Sequence, residues 1–191
     1  MKNFISLIIV GIFTLFPLHT FASLGLEQEY WLEEIEKHDG LSGGGVYRFL
    51  NGNWEEHKKV ITTIAKVVQQ NPVKLKHMAI NMYRNDQAIR EILSNILLPT
   101  IANNDTIKTL NLNGLPESAA PLIAKIIEKN KTLEYVTLSD PGFDNRGAIA
   151  IAKALKSNST IKNLSFTGSN FGMEARKAIR SSAGSNVLLE F

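Results

Sequence analysis

Residues 40–44, Gly-Leu-Ser-Gly-Gly, fit G-x-S-x-G, the spacing in which a strained strand-to-helix turn exposes a nucleophilic serine. Acyl transfer from Ser42 would also require a buried strand before it, a helix after it, and a histidine oriented by a carboxylate. The flanks supply none of these. An acidic stretch precedes the serine, more glycines follow it, and only His57 and His77 stand downstream as bases. The same glycines lack the lysine of a phosphate-binding loop, so the segment reads as a flexible linker. His38-Asp39 and Glu55-Glu56-His57 are the other clusters of ligand types, and neither has a multi-histidine spacing, which makes them solvated surface. The chain contains no cysteine, excluding a disulfide framework, a thiolate metal site and a lipid-modified cysteine. The sequence therefore predicts no enzyme, no cofactor and no metal. Trp31 and Trp54, with Tyr30 beside the first, could line a carbohydrate or peptide groove or pack in a core, and their place within apolar periodicity favours the core.

The 191 residues carry 21 Lys and Arg against 18 Asp and Glu, a formal charge of +3, with 44% hydrophobic and 20% charged residues. These proportions suit one modest globular domain and disfavour wholesale disorder or a multi-span membrane protein. An excess of three positive charges is too thin to imply a nucleic-acid-binding stripe, which needs clustered Lys and Arg. The first 22 residues have the layout of a signal peptide. Lys2 precedes a charge-free, mostly apolar run over residues 4–16, Pro17 ends it, and Thr20 and Ala22 stand three and one before a cut site. As a helix that run would rise about 20 Å, short of the roughly 30 Å hydrocarbon core, so cleavage is expected rather than a retained anchor. The expected product is exported, periplasmic or secreted, with no membrane insertion after cleavage.

Those few polar groups must be positioned by a repeat. Asn104, Asn130, Asn158 and Asn186 recur at spacings of 26, 28 and 28 residues. Three residues after each comes Ile107, Leu133, Ile161 or Leu189, and the first three copies continue with Leu110 and Leu112, Val136 and Leu138, Leu164 and Phe166. Seven and three residues before each stand Leu97 and Ile101, Ile123 and Ile127, Ile151 and Leu155, Ile179 and Ala183, the spacing of one buried helical face. Each unit is thus a strand, a turn and an amphipathic helix, the helix of the middle unit spanning about residues 118–129. One such unit cannot bury both faces, so units stack with a parallel sheet inside and helices outside. Asparagine suits the helix-to-strand corner because it tolerates a left-handed backbone and its amide can bind nearby main chain. The triplets that Asn104, Asn130 and Asn158 begin are also Asn-x-Thr glycosylation acceptors, though their recurrence in register favours the structural role.

At residues 132–159 the pattern resembles the ribonuclease-inhibitor-like class of leucine-rich repeat, which runs L-x-x-L-x-L-x-x-N/C-x-L and then G-x-x-x-L-x-x-x-L. Leu133, Val136, Leu138, Phe143, Gly147, Ile151 and Leu155 occupy its apolar and glycine positions. The resemblance covers about residues 74–191 and extends to tropomodulin-like modules and secreted bacterial leucine-rich-repeat effectors. It implies a short right-handed α/β solenoid, with parallel strands on the concave face, helices on the convex face and a helical N-terminal cap. The position usually Asn or Cys is Leu115, Pro141 and Ser169 here, so the usual side-chain ladder should be missing and those turns less regular.

Upstream the phase continues. Leu75, Met78 and Ile80 repeat the strand spacing, and residues 54–70 form a helix carrying Val60, Ile61, Ile64, Val67 and Val68, with Asn53 as cap and Glu56 completing a capping box. Pro99 is expected to break the next helix in two. Residues 24–38 should form an amphipathic cap helix, Gly43, Gly44 and Gly45 free the chain, and residues 46–50 form an edge strand ending at an Asn51-Gly52 turn. The expected division is 1–22 signal peptide, 23–52 N-terminal cap and Gly-rich linker, and 53–191 leucine-rich-repeat domain.

With strands in register, the inner surface would show rows of His77, Thr109, Tyr135 and Asn163, then Ala79, Asn111, Thr137 and Ser165, then Asn81, Asn113, Ser139 and Thr167. Hydroxyls and amides around one large aromatic make a protein-binding surface, with His77, Thr109, Asn111, Tyr135, Thr137, Asn163 and Ser165 as its candidate residues. Partners could instead use the helices, or pair with an open C-terminal edge through which the chain would self-associate. Two functions follow. One is a non-catalytic protein-protein interaction module, exported from a bacterial cell and acting on a host protein. The other is an envelope or periplasmic factor that binds glycan or serves assembly.

Overall fold

The computed structural model describes residues 27–38, 40–41, 54–82 and 87–191. The signal segment 1–22, Ser42, the glycines at 43–45, the expected strand at 46–50 and the Asn53 cap lie outside the described residues, as do the side chains of Trp31, Trp54, His38 and His57. In chain order the elements are α1 (Glu27–His38), β1 (Gly40–Leu41), α2 (Trp54–Gln69), β2 (His77–Asn81), α3 (Gln87–Ile101), β3 (Thr109–Asn113), a 3-10 turn (Glu117–Ala119), α4 (Ala120–Lys129), β4 (Tyr135–Ser139), α5 (Asn145–Leu155), β5 (Asn163–Ser165), α6 (Met173–Ser182) and β6 (Leu188–Glu190). The six strands form one sheet in sequential order, every neighbouring pair parallel. This is the expected α/β solenoid, one strand and one helix per unit.

Alternation along each strand creates the two faces. Met78, Ile80, Leu110, Leu112, Val136, Leu138, Leu164 and Phe166 point into the layer between sheet and helices and are at most 3% exposed. The helices cover them with the residues seven and three before the corner asparagines Asn71, Asn104, Asn130 and Asn158: Ile64 and Val68, Leu97 and Ile101, Ile123 and Ile127, Ile151 and Leu155 are all buried. Gly147 lets α5 approach α4, because a Cβ there would stand 2.8 Å from that of Ala120.

The corner asparagines stitch successive units together. Asn130 donates from Nδ2 to the carbonyls of Ile101 and Asn104, both at 2.8 Å, while its Oδ1 accepts from the N–H groups of Thr132 and Leu133, again at 2.8 Å. Asn104 does the same one unit earlier, donating to the Val68 carbonyl and accepting from Thr106 and Ile107. Asn158 does so one unit later, donating to Ile127 and accepting from Thr160 and Ile161. Each amide thus gives a partner to the N–H groups that lead into the next strand and a further donor to carbonyls at the end of the preceding unit's helix. Asn130 is extended at φ −68° and ψ 134°, and among these corners only Asn71 takes a left-handed backbone, at φ 50°. The amide chemistry, and not backbone tolerance, is what recurs. With Asn104 and Asn130 at 3% and 1% exposure and their amide nitrogens engaged, the folded protein offers no glycan acceptor at either.

Three expectations change in detail. Pro99 does not divide its helix: α3 runs unbroken through it, because Pro99 lies in the last turn on the exposed side, where the carbonyl left without a donor faces water. The strand-to-helix turns are regular without an Asn or Cys ladder. Gly114 and Asp140 donate their N–H groups to the carbonyls of Ser139 and Thr167, and positive φ at Gly114, Asp140 and Gly168 turns the chain at equivalent points. The described edge strand on the N-terminal side is Gly40–Leu41, within the segment expected to be a flexible linker. Gly40 is needed there because a Cβ would lie 2.3 Å from the His77 carbonyl oxygen. At the other edge β6 pairs with β5, and Phe191 stacks on Phe166 at 5.8 Å with the guanidinium groups of Arg176 and Arg180 over its ring.

Candidate protein-binding face

The register assembles the expected rows. His77 pairs with Thr109, Thr109 with Tyr135, Tyr135 with Asn163, and Asn163 with Leu188. Ala79, Asn111, Thr137, Ser165 and Glu190 form the second row, and Asn81, Asn113 and Ser139 the third. Their side chains leave the sheet on the side opposite the helices. Tyr135 is 47% exposed and Leu188 58%, the two large apolar side chains exposed on this face among the described residues. His77 and Asn111 are exposed, and Thr109, Thr137 and Asn163 are partly so. Ser165 departs from the expectation. It is 3% exposed and its Oγ lies 3.0 Å from that of the exposed Thr167, so its neighbours cover it and leave a partner little of it.

Alternation within the strands missed a charged row. One residue before each strand stand Lys76, Lys108, Glu134 and Lys162, whose backbones already pair from unit to unit. Glu134 bridges two lysines, at 2.6 Å to Lys162 Nζ and 3.4 Å to Lys108 Nζ. The hydrogen bond from Lys162 chiefly holds the Glu134 carboxyl below its ordinary range, and the same bond raises the Lys162 ammonium. Beside these rows therefore runs a strip that reads plus, plus, minus, plus. The signal was present in the sequence as charged residues at the repeat spacing.

Chemistry of other kinds finds little footing among the described residues. No group of three or more His, Asp or Glu there could hold a metal ion, and no helix there is long and apolar enough to cross a membrane. An open cleft of about 570 Å³ lies between the start of α3 and the 3-10 turn, lined by Arg90, Glu91, Leu115, Pro116, Glu117 and Ser118 among others. In its lining Ser118 donates to Glu91 at 2.6 Å.

A solved binding domain shares this fold. The actin-binding site 2 of leiomodin-1 matches with a TM-score of 0.55 at 20% identity, over 73% of this chain and 78% of that one. The neighbour is a leucine-rich-repeat-like domain of parallel strands and helices that binds a protein, and at this identity the likeness concerns the fold alone. No protein-family model and no curated protein sequence matches the chain.

Proposed function

We propose that this solenoid is a non-catalytic protein-interaction module, exported from a bacterial cell and acting on a host protein through its concave face. The observation that carries the binding reading is Tyr135. It stands nearly half exposed in the middle of a row of hydroxyls and amides, on a sheet face that no helix covers among the described residues. An aromatic ringed by polar groups able to exclude water is the arrangement in which truncation costs an interface most. A domain of the same fold that binds actin supports a protein as the partner class. Export rests on the sequence of residues 1–22 alone.

Wild type and Tyr135→Ala, each offered to host-cell lysate and to purified cell wall, test the reading together. The expected result is a protein captured from lysate by wild type, with affinity for Tyr135→Ala lower by about 2 kcal/mol, roughly thirtyfold in Kd. Retention on cell wall alone, or equal capture by both proteins, would contradict it. Mass spectrometry of protein from the native organism should find a first residue after Ala22, and an intact Met1 would refute export by cleavage.

A further inference from the structure

The formal charge of +3 is unevenly spread. Residues 120–182 hold ten Lys and Arg against five Asp and Glu, or +5, leaving eleven against thirteen, or −2, for the rest of the chain. This excess gathers on the outer surface of α4, α5 and α6, which run side by side in the same direction because their strands are parallel and sequential. Each helix presents one exposed stripe at helical spacing that begins with an apolar residue and continues in cations. The stripes are Pro121, Lys125 and Lys129; Ile149, Lys153 and Lys156; and Met173, Lys177 and Arg180. The five lysines have no ion pair among the described residues, and Arg180 lies over the Phe191 ring at 5.2 Å. Glu128 and Glu174 are the acids set among these stripes. Met173 is 84% exposed and Ile149 37%, two of the five large apolar side chains exposed among the described residues.

We propose that this helical face docks on the surface of an anionic phospholipid bilayer, leaving the concave face turned away from the membrane. Charge complementarity selects the headgroups. An apolar band beside a cation band matches the boundary at which headgroups give way to acyl chains. The cations are mainly lysines, flexible and strongly hydrated point charges that suit mobile headgroups better than the fixed bidentate partners arginine takes. The stripes, as given, hold no aromatic side chain on which bases could stack, which disfavours nucleic acid. No helix among the described residues is long and apolar enough to cross a membrane.

Co-sedimentation of the full chain with vesicles tests this. One set is phosphatidylcholine alone; in the other a third of the lipid is phosphatidylserine. The neutral set measures any contribution from the apolar residues 4–16, and the charge-dependent excess is the readout. Binding to the anionic vesicles should exceed binding to the neutral ones at low salt and fall as salt screens it. Each lysine neutralised should lower the partition about fivefold, so Lys125→Gln, Lys153→Gln and Lys156→Gln together should lower it about a hundredfold. The circular dichroism of that variant should match wild type, since all three side chains are exposed. Equal binding to both vesicle sets, or a folded triple variant that binds as wild type does, would overturn the proposal. Tighter binding to polyglutamate or to duplex DNA than to the anionic vesicles would also overturn it, by giving the face to another partner. The concave reading stands or falls separately, because Tyr135→Ala should leave the vesicle partition unchanged.

Discussion

Asn130→Ala removes one side chain and disturbs two repeats. The amide of Asn130 is 1% exposed and makes four hydrogen bonds of 2.8 Å, two to carbonyls of the preceding unit and two from N–H groups of its own. Alanine leaves Thr132 N and Leu133 N without these partners, while Ile101 O keeps the Asn104 N–H at 3.2 Å and Asn104 O keeps the Thr132 hydroxyl at 3.3 Å. A buried polar group left unpaired costs about 1–3 kcal/mol, and water entering the corner should recover part of that, so the expected loss is about 3–5 kcal/mol. That is a large share of the roughly 5–15 kcal/mol that holds an ordinary domain folded. Asn158→Ala, in a partly buried corner with one of its donor bonds stretched to 3.4 Å, should cost less. Urea denaturation followed by circular dichroism measures both, and a shared m-value would show that midpoints report stability. A loss below about 1 kcal/mol for Asn130→Ala, or a larger loss for Asn158→Ala, would refute the view that the amides tie the units together.

Leu138→Ala, at a fully buried position in β4, should cost about 2–5 kcal/mol through the cavity it opens, and an unchanged thermal midpoint would place Leu138 outside the core. Glu134 has a folded pKa below its unfolded value, so its stabilising effect is present above the ordinary carboxylate range and is lost as pH falls through the folded pKa. Glu134→Gln should therefore flatten the acid limb of the stability profile, and an identical limb would show that the lysine bridge does not form in solution. Gly40→Ala should detach β1 from β2 by clashing with the His77 carbonyl, read as faster amide exchange at Leu41 with the β3–β4 region unaffected.

The solenoid was legible because its signals are local and repeat. Ile123, Ile127, Leu133, Val136 and Leu138 declare a helix face and a strand face within one unit, and the asparagine between them marks the corner. What that asparagine bonds to was not legible, since the carbonyls accepting from Asn130 belong to Ile101 and Asn104 in the unit before. The proline rule misread Pro99 because its effect depends on whether the lost bond faces the core or water, which only packing decides. Tyr135 and its row followed from alternation. The charged strip escaped because Lys108, Glu134 and Lys162 precede the strands, where alternation was not applied, and because the Glu134 bridge spans a full repeat in sequence. Ser165 takes its place in the second row, and its burial was not legible because alternation gives the side of the sheet and not how closely neighbours such as Thr167 cover a small side chain.

Site-directed photo-crosslinking distinguishes a partner on the concave face from one on the helices. A photoreactive phenylalanine analogue replaces Asn111 or Thr137 in one pair of proteins and Lys153, on the outer side of α5, in another. With the captured partner present, covalent adducts should form from Asn111 and Thr137 and not from Lys153. Adducts from Lys153 alone would move the partner to the helices and contradict the account.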